Sequence, residues 1–430
     1  MSEHHHQPQY QHDGPPHDDD ASDDFDPNDP EETQALHSCL LGYKFYRALT
    51  HQQITNTRRQ NFHCLPTPHR ETLCAPPLSL IQTFQNIDTC IRTNADFVEH
   101  ILGTGCAAFG VDPAVLPDQL TLLPPALRGE VENAVDKVHS VLKQFVRDWS
   151  EEGKEERAPG YGRVLHALAK RWRVEERAEK RVLVPGAGLG RLALEVAEMG
   201  CRAEGNEWSY AMLVGSQFVL NCTQQQNQFT LHPFLRSFSL QRSRSAQLRP
   251  IPIPDILPSH LVTAHPSQWS NPYLSLLPAH LQAEAAALPP SPPPNLVPVT
   301  TEDRISMVSG DFLTCYRPSV AANSFDAIAT NFFLDTAADP LAYIDVIWTS
   351  LKPGGVWINF GPLLWHFDGK GREGQGGVEL TLEEVLYVTE LRGFRITERE
   401  SGVPSFYTSD RESMGRWAYQ CEFWVAEKPM

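Results

Sequence analysis

The sequence predicts an α/β fold: a doubly wound, mostly parallel sheet with an antiparallel C-terminal edge, preceded by a helical N-terminal domain. Three observations predict it. The apolar triplet Val182, Leu183 and Val184 runs into a loop holding Gly186, Gly188 and Gly190, then into a helical pattern from Leu189 to Met199. From there to the C-terminus strand-like and helix-like segments alternate, the pattern of a parallel sheet with helical crossovers. Ahead of them, residues 33–158 carry apolar side chains at helical spacing.

In chain order, residues 1–32 carry eleven acids, the histidines His4, His5, His6, His12 and His17, and no Lys or Arg. Almost devoid of core formers, they read as a disordered, solvated tail. Three amphipathic segments follow. Leu36, Leu40, Leu41, Tyr43, Phe45, Tyr46 and Leu49 mark the first; residues 78–110 and 129–150 make the second and third. Glu151 to Pro159 reads as a charged connection between a helical domain at 33–158 and the body at 159–430. In the body, strands are expected at 181–185, 202–207, 305–309, 325–331, 355–360, 394–400 and 418–426, with helices at 189–199, 208–221, 340–351 and 381–391. Lys352-Pro-Gly-Gly355 reads as a helix stop before a strand. The last two strands have no clear helix between them, which suits an antiparallel pair. The interval 222–303 is expected to hold no compact α/β element, because residues 241–300 contain 13 of the 35 prolines and proline removes backbone donors. Part of it reads as a surface loop, with a short helix at Gln282–Leu288.

The net charge of −17 resides mostly in the tail. The rest sets 36 basic against 42 acidic residues, a mild balance that argues against a nucleic-acid surface. No apolar run is long enough to cross a membrane, and the N-terminus lacks the features of a signal peptide. The nine cysteines form no CxxC pair, so no metal site is expected, and a reducing, intracellular compartment fits.

The glycine loop and the acid about twenty residues beyond it point to a nucleoside cofactor. Glu207 closes the second strand, where a carboxylate can accept from both hydroxyls of a ribose. The spacing is G-x-G-x-G, and Arg191 stands where a dinucleotide loop would have its third glycine. That form resembles S-adenosylmethionine-dependent methyltransferases and disfavours an NAD-linked oxidoreductase. Asp311 and Phe312, after the third strand, suit an adenine pocket, although Gly-Asp-Phe alone is a common turn. Asp335 follows Asn331-Phe-Phe-Leu at the crevice end of the fourth strand; it is either a substrate contact or a helix N-cap. His366, in Gly361-Pro-Leu-Leu-Trp-His, follows the fifth strand on the same edge.

The chain resembles the carnosine N-methyltransferase family, proteins that use S-adenosylmethionine to methylate the imidazole of a histidine-containing dipeptide. The likeness rests on Gln144-Phe-Val-Arg-Asp-Trp-Ser150, Val184 to Leu192, Gly205-Asn-Glu-Trp-Ser209, Phe218-Val-Leu-Asn221, Gly310-Asp-Phe312, Tyr343 to Trp348 with Leu351-Lys-Pro-Gly-Gly355, and Gly361 to Phe367. It runs from about Cys39 to the C-terminus, apart from most of 259–300. The resemblance implies that Gln144, Arg147, Gly186, Glu207, Asp311 and Phe312 bind the cofactor, with Arg147 suited to its carboxylate. It implies that Asp335, His366 and Tyr407 bind and orient the dipeptide. One position departs: Asn331 stands where the family can have a cofactor-contacting Cys, and only a backbone contact survives that change. The expected reaction turns carnosine into anserine, without nucleic acid, membrane or metal, in the cytoplasm and also the nucleus. Two alternatives stand beside it: a methyltransferase for histidine in other peptides or proteins, and a scaffold that has lost activity. The oligomeric state is left open, a dimer among the options.

Overall fold

The computed structural model describes residues 30–258, 269–288, 304–367 and 377–430. The expected tail lies outside the described residues except for Pro30, Glu31 and Glu32, which open the first helix. Residues 259–268 and 289–303, part of the expected loop, also lie outside.

Three long helices precede the sheet: α1 (Pro30–His51), α2 (Leu80–Ala108) and α3 (Pro125–Trp149). Glu31 and Glu32 sit in the first turn of α1, where negative charge complements the helix dipole. Glu151 to Pro159 is not a connection. Residues Lys154–Arg171 form α4, with Glu155 and Glu156 in the first turn and Pro159 in the second. Proline there costs an intrahelical hydrogen bond, but the buried face of Tyr161, Val164, Leu165 and Leu168 carries the helix across it. The division expected at 158/159 therefore falls inside a helix.

The body then runs β1 (Arg181–Pro185), α5 (Arg191–Glu198), β2 (Arg202–Glu207) and α6 (Tyr210–Asn221). After an excursion come β5 (Ile305–Ser309), β6 (Phe325–Asn331), α8 (Pro340–Ser350), β7 (Leu351–Gly361), α9 (Leu382–Arg392), β8 (Arg395–Ser405) and β9 (Tyr419–Glu427). The seven-stranded sheet has the order β5-β2-β1-β6-β7-β9-β8. The first five strands are parallel; β9 is antiparallel to β7 and to β8. From β1 the chain moves outward to β2 and β5, then returns to β6 on the other side of β1. This reversal opens a crevice beyond the carboxyl ends of the strands. Strand β7 begins four residues before the expected position, because Lys352–Gly355 continue it through an irregular start with Gly354 at φ +75°.

The excursion is more compact than its prolines suggest. Residues Phe229–Leu231 (β3) and Ile251–Ile253 (β4) pair as an antiparallel ribbon. In Ile251-Pro-Ile253 the two isoleucines are buried and Pro252 faces out, so the missing donor sits on an edge where it costs little. Tyr273 is buried, and α7 (Ala279–Ala286) begins three residues before the expected helix. One hydrophobic cluster joins Leu40 and Tyr46 of α1, Phe97 of α2, Val138 and Phe145 of α3, Val214 and Phe218 of α6, and Leu231, Ile251 and Ile253 of the ribbon. The N-terminal helices are thus one layer of the body, packed on its crossover helices.

Candidate active site

A cavity of about 450 Å³ opens at the carboxyl ends of β1, β2, β6 and β7. Its floor is the glycine loop. Gly186, Gly188 and Gly190 all have positive φ, and a Cβ on Gly186 would lie 2.6 Å from the Phe333 ring. Only glycine gives this turn without strain. Glu207, at the end of β2, accepts hydrogen bonds from the N–H groups of Gly188 (2.9 Å), Trp208 (2.9 Å) and Ser209 (2.8 Å). Burial pushes its carboxyl above the usual range, and these three donors pull it back. They occupy three of a carboxylate's roughly four acceptor positions. Accepting from two ribose hydroxyls would therefore require one backbone donor to yield.

The last two turns of α3 close the cavity from above. Asp148 is buried and accepts from Gln144 Nε2 (2.8 Å), Arg147 Nη1 (2.7 Å) and the Tyr161 hydroxyl (3.1 Å). Gln144 and Asp148 are four apart and share a helix face. Arg147 is 3% exposed, and its Nε has no partner. Burial opposes its charge, yet Tyr161 and Asp148 raise its pKa above the ordinary value. Behind this turn Arg191 donates to the Asp148 carbonyl (2.9 Å) and to Asp255 (2.6 Å), while Arg157 donates to Asp255 (2.9 Å) and to the Arg147 carbonyl. The residue that breaks the dinucleotide spacing thus ties the glycine-loop helix to α3.

Aromatic rings line the far wall. Phe333 stacks on Tyr343 at 5.0 Å and meets Phe312 edge-on at 5.2 Å. Asp311 caps the four-residue helix that Phe312 opens, through Leu313 N–H (3.0 Å) and Thr314 N–H (3.3 Å). Phe332 is held at φ +53°, a strained conformation for a bulky residue, at roughly 1–2 kcal/mol. Tyr407, on the β8–β9 loop, lies 4.9 Å from the Phe332 ring and 4.8 Å from the Arg147 guanidinium. The residue is 38% exposed; the cavity wall around its hydroxyl pushes the phenol up, with Arg147 opposing, and the hydroxyl is neutral at ordinary pH, able to donate or accept.

Of the residues singled out in the sequence, Gln144, Arg147, Gly186, Glu207, Asp311, Phe312, Asn331, His366 and Tyr407 all line this cavity. The Asn331 Oδ1 is buried without a partner, and it faces Gly160 of α4, whose added Cβ would lie 2.1 Å away. Asp335 is not part of the lining. It is 4% exposed and accepts from Leu364 N–H (3.0 Å), while its carbonyl accepts from His366 N–H (3.0 Å). It buttresses the loop that carries His366 and does not cap the following helix, whose N-cap is Asp339. Burial pushes the Asp335 carboxyl up, with Leu364 and His366 opposing. Sequence reasoning missed Asp148, Tyr161 and Phe332. Asp148 alone carried a signal, its place four residues after Gln144.

The family model of carnosine N-methyltransferase matches residues 127–277 and 282–430. The chain belongs to the carnosine N-methyltransferase family. Carnosine N-methyltransferase of Schizosaccharomyces pombe is 34% identical over 407 residues, covering 92% of this chain and 96% of the relative. The Mus musculus carnosine N-methyltransferase is 35% identical over 392 residues, 91% of this chain and 85% of that one. A solved S-adenosylmethionine-dependent methyltransferase of Methanosarcina mazei is 15% identical, covers 58% of this chain and 92% of its own, and has a TM-score of 0.29. Like its family, this protein is an S-adenosylmethionine-dependent methyltransferase. The residues present fit that cofactor: an orphaned guanidinium nitrogen for a carboxylate, a half-buried acid for a diol, an aromatic wall for a base, and a loop without side chains at its tightest point. No helix among the described residues is long and apolar enough to cross a membrane.

Proposed function

We propose that the protein methylates an imidazole nitrogen of carnosine, or of a closely related histidine-containing dipeptide, giving anserine from carnosine. What carries the reading is that, in a member of this family, the residues suited to the cofactor line one cavity together with His366 and Tyr407 of those suited to a dipeptide, with the Tyr407 ring against Arg147. Arg147 and Gln144 bind the methionyl end, Glu207 the ribose, and Asp311 with Phe312 the adenine. Bound there, S-adenosylmethionine supplies a methyl group on a sulfonium. The protein's own work is alignment and exclusion of water. A neutral imidazole has one nitrogen with a lone pair and one bearing hydrogen, so hydrogen-bonding the second selects the first. Tyr407, through its hydroxyl oxygen, and His366, through a ring nitrogen, are the groups that accept from that N–H. The ring that has gained a methyl group is cationic and must shed the proton on its other nitrogen. Asp335 lies outside the lining, so accepting that proton or pairing with the dipeptide's amine requires the Leu364 N–H to release its carboxylate; its raised carboxyl suits acceptance.

All nine cysteines are free thiols, which supports a reducing compartment; we place the protein in the cytoplasm and nucleus, acting on a small molecule. The test is methyl transfer from labelled S-adenosylmethionine to carnosine, with anserine and free histidine as controls and the product identified by mass spectrometry. Transfer to carnosine alone is the expected result. No transfer, with cofactor binding confirmed by calorimetry, would redirect the search to histidine in other peptides and proteins.

A further inference from the structure

The ribbon segment between β3 and β4 does not line the cavity, yet one of its side chains reaches the segments next to two residues that do, Arg147 and Tyr407. Arg249 binds Glu152, in the turn between α3 and α4, through Nη2 (2.6 Å) and Nε (3.3 Å). The same guanidinium binds Asp410 through Nη1 at 2.9 Å and lies over the Phe234 ring at 4.4 Å. All three charged side chains are mostly buried, at 14%, 16% and 11% exposure, so this is not a solvent-screened surface pair of the kind that contributes little. Glu152 is five residues from Arg147, and Asp410 is three residues from Tyr407.

The loop between β8 and β9 needs such an anchor. Thr408, next to Tyr407, has φ +48°, a strained conformation for a β-branched residue, and one that persists only when its surroundings over-determine it. Around it Ser409 N–H donates to Glu156 (3.0 Å), Gln241 Nε2 donates to Asp410 (3.4 Å) and Met414 N–H donates to the Leu240 carbonyl (2.8 Å). Two guanidiniums tie this loop to the turn that follows the cofactor helix α3: Arg411 of the loop itself lies 3.7 Å from Glu152, and Arg249 makes the shorter contacts, to Glu152 at 2.6 Å and to Asp410 at 2.9 Å.

We propose that Arg249 is a positioning residue for dipeptide binding: by clamping Asp410 to Glu152 it fixes the Tyr407 ring against Arg147 and Phe332. This rests on the assignment of Tyr407 to the dipeptide. The proline-rich excursion thereby acquires a role in substrate affinity, exerted through a loop it does not belong to.

Steady-state kinetics and calorimetry on the full chain test it, with R249M, D410A, Y407A and the double variant R249M/Y407A. R249M and D410A should each raise KM for carnosine about tenfold, the equivalent of ~1.4 kcal/mol. kcat and the affinity for S-adenosylhomocysteine should stay within about threefold. D410A keeps the Arg249–Glu152 pair and so guards against a fold lost in R249M. In the double variant KM should be no higher than in Y407A, because Arg249 then has no ring to place. An unchanged carnosine KM in both R249M and D410A, a KM loss that adds to that of Y407A, or an equal weakening of cofactor binding would each overturn the proposal. If Y407A itself leaves KM unchanged, the assignment of Tyr407 fails and the proposal with it. A raised KM in Y407A alone would overturn only the role of Arg249. Absence of carnosine turnover in the unaltered enzyme would overturn the functional reading first.

Discussion

Asp148 shows how a residue can organise a site it was not expected to join. One buried carboxylate orients both Gln144 and Arg147, so the polarity of the cavity roof depends on a side chain the ligand need not touch. R147M should weaken S-adenosylhomocysteine binding at least about tenfold by calorimetry, since a hydrogen bond to a charged group contributes ~1.5–3 kcal/mol. G186A should abolish it, because the added Cβ meets Phe333 at 2.6 Å and alanine resists φ +65°. D335A should lose turnover by 10²-fold or more, within the usual range for acid–base groups (~10²–10⁴), with the cofactor still bound; a matching loss of cofactor affinity would contradict its assignment to the substrate side. The glycine loop and Glu207 were legible because strand, turn and next strand end are local in sequence. The orientation of Asp335 was not. Whether its carboxylate enters the cavity or turns under Leu364 depends on a loop 29 residues away, and no spacing rule reports that.

At the level of elements, the sheet was legible because each strand is a short apolar run with a turn on either side. The ribbon β3–β4 was not, since three-residue strands with a central proline carry almost no periodicity, and the partners are separated by a long connection. Helix α4 was hidden by its charge and by Pro159, although its acidic first turn is a good helix start. Tertiary pairing decides such cases. Asp255, just after β4, sits between the Arg157 and Arg191 guanidiniums; burial pushes its carboxyl up, and the two cations more than reverse this. D255A would take the carboxylate from the buried Arg157, while Arg191 keeps Glu195 at 2.7 Å; removing one partner of a buried ion pair costs ~3–5 kcal/mol. Urea unfolding should show the midpoint falling accordingly with the slope unchanged. A shift below ~1 kcal/mol would mean the ribbon is not an integral part of the body.

Across the whole molecule, the shared cluster of α1, α2, α3, α6 and the ribbon makes the N-terminal layer and the crossover helix α6 interdependent. Stability should also carry a signature of pH. Glu198 on α5 is pushed up to about 8 by burial and by the negative charges of Glu195 and Asp255, with Arg191 opposing. The folded chain therefore keeps a proton that the unfolded chain, near the ordinary 4.5, has released. That contribution is complete below about 4.5 and is lost as pH rises through about 8. Melting temperatures from pH 5 to 9 should fall more steeply for the unaltered protein than for E198Q, which stays neutral; parallel curves would refute the shift. A different kind of reciprocity follows from the Tyr407 ring lying 4.8 Å from the Arg147 guanidinium. If one of these groups greets the cofactor and the other the dipeptide, the two ligands cannot bind independently. Whatever factor one applies to the other's dissociation constant is returned unchanged, so a spent cofactor still in place shifts the affinity for methylated product by the same factor that the product shifts the affinity for the spent cofactor.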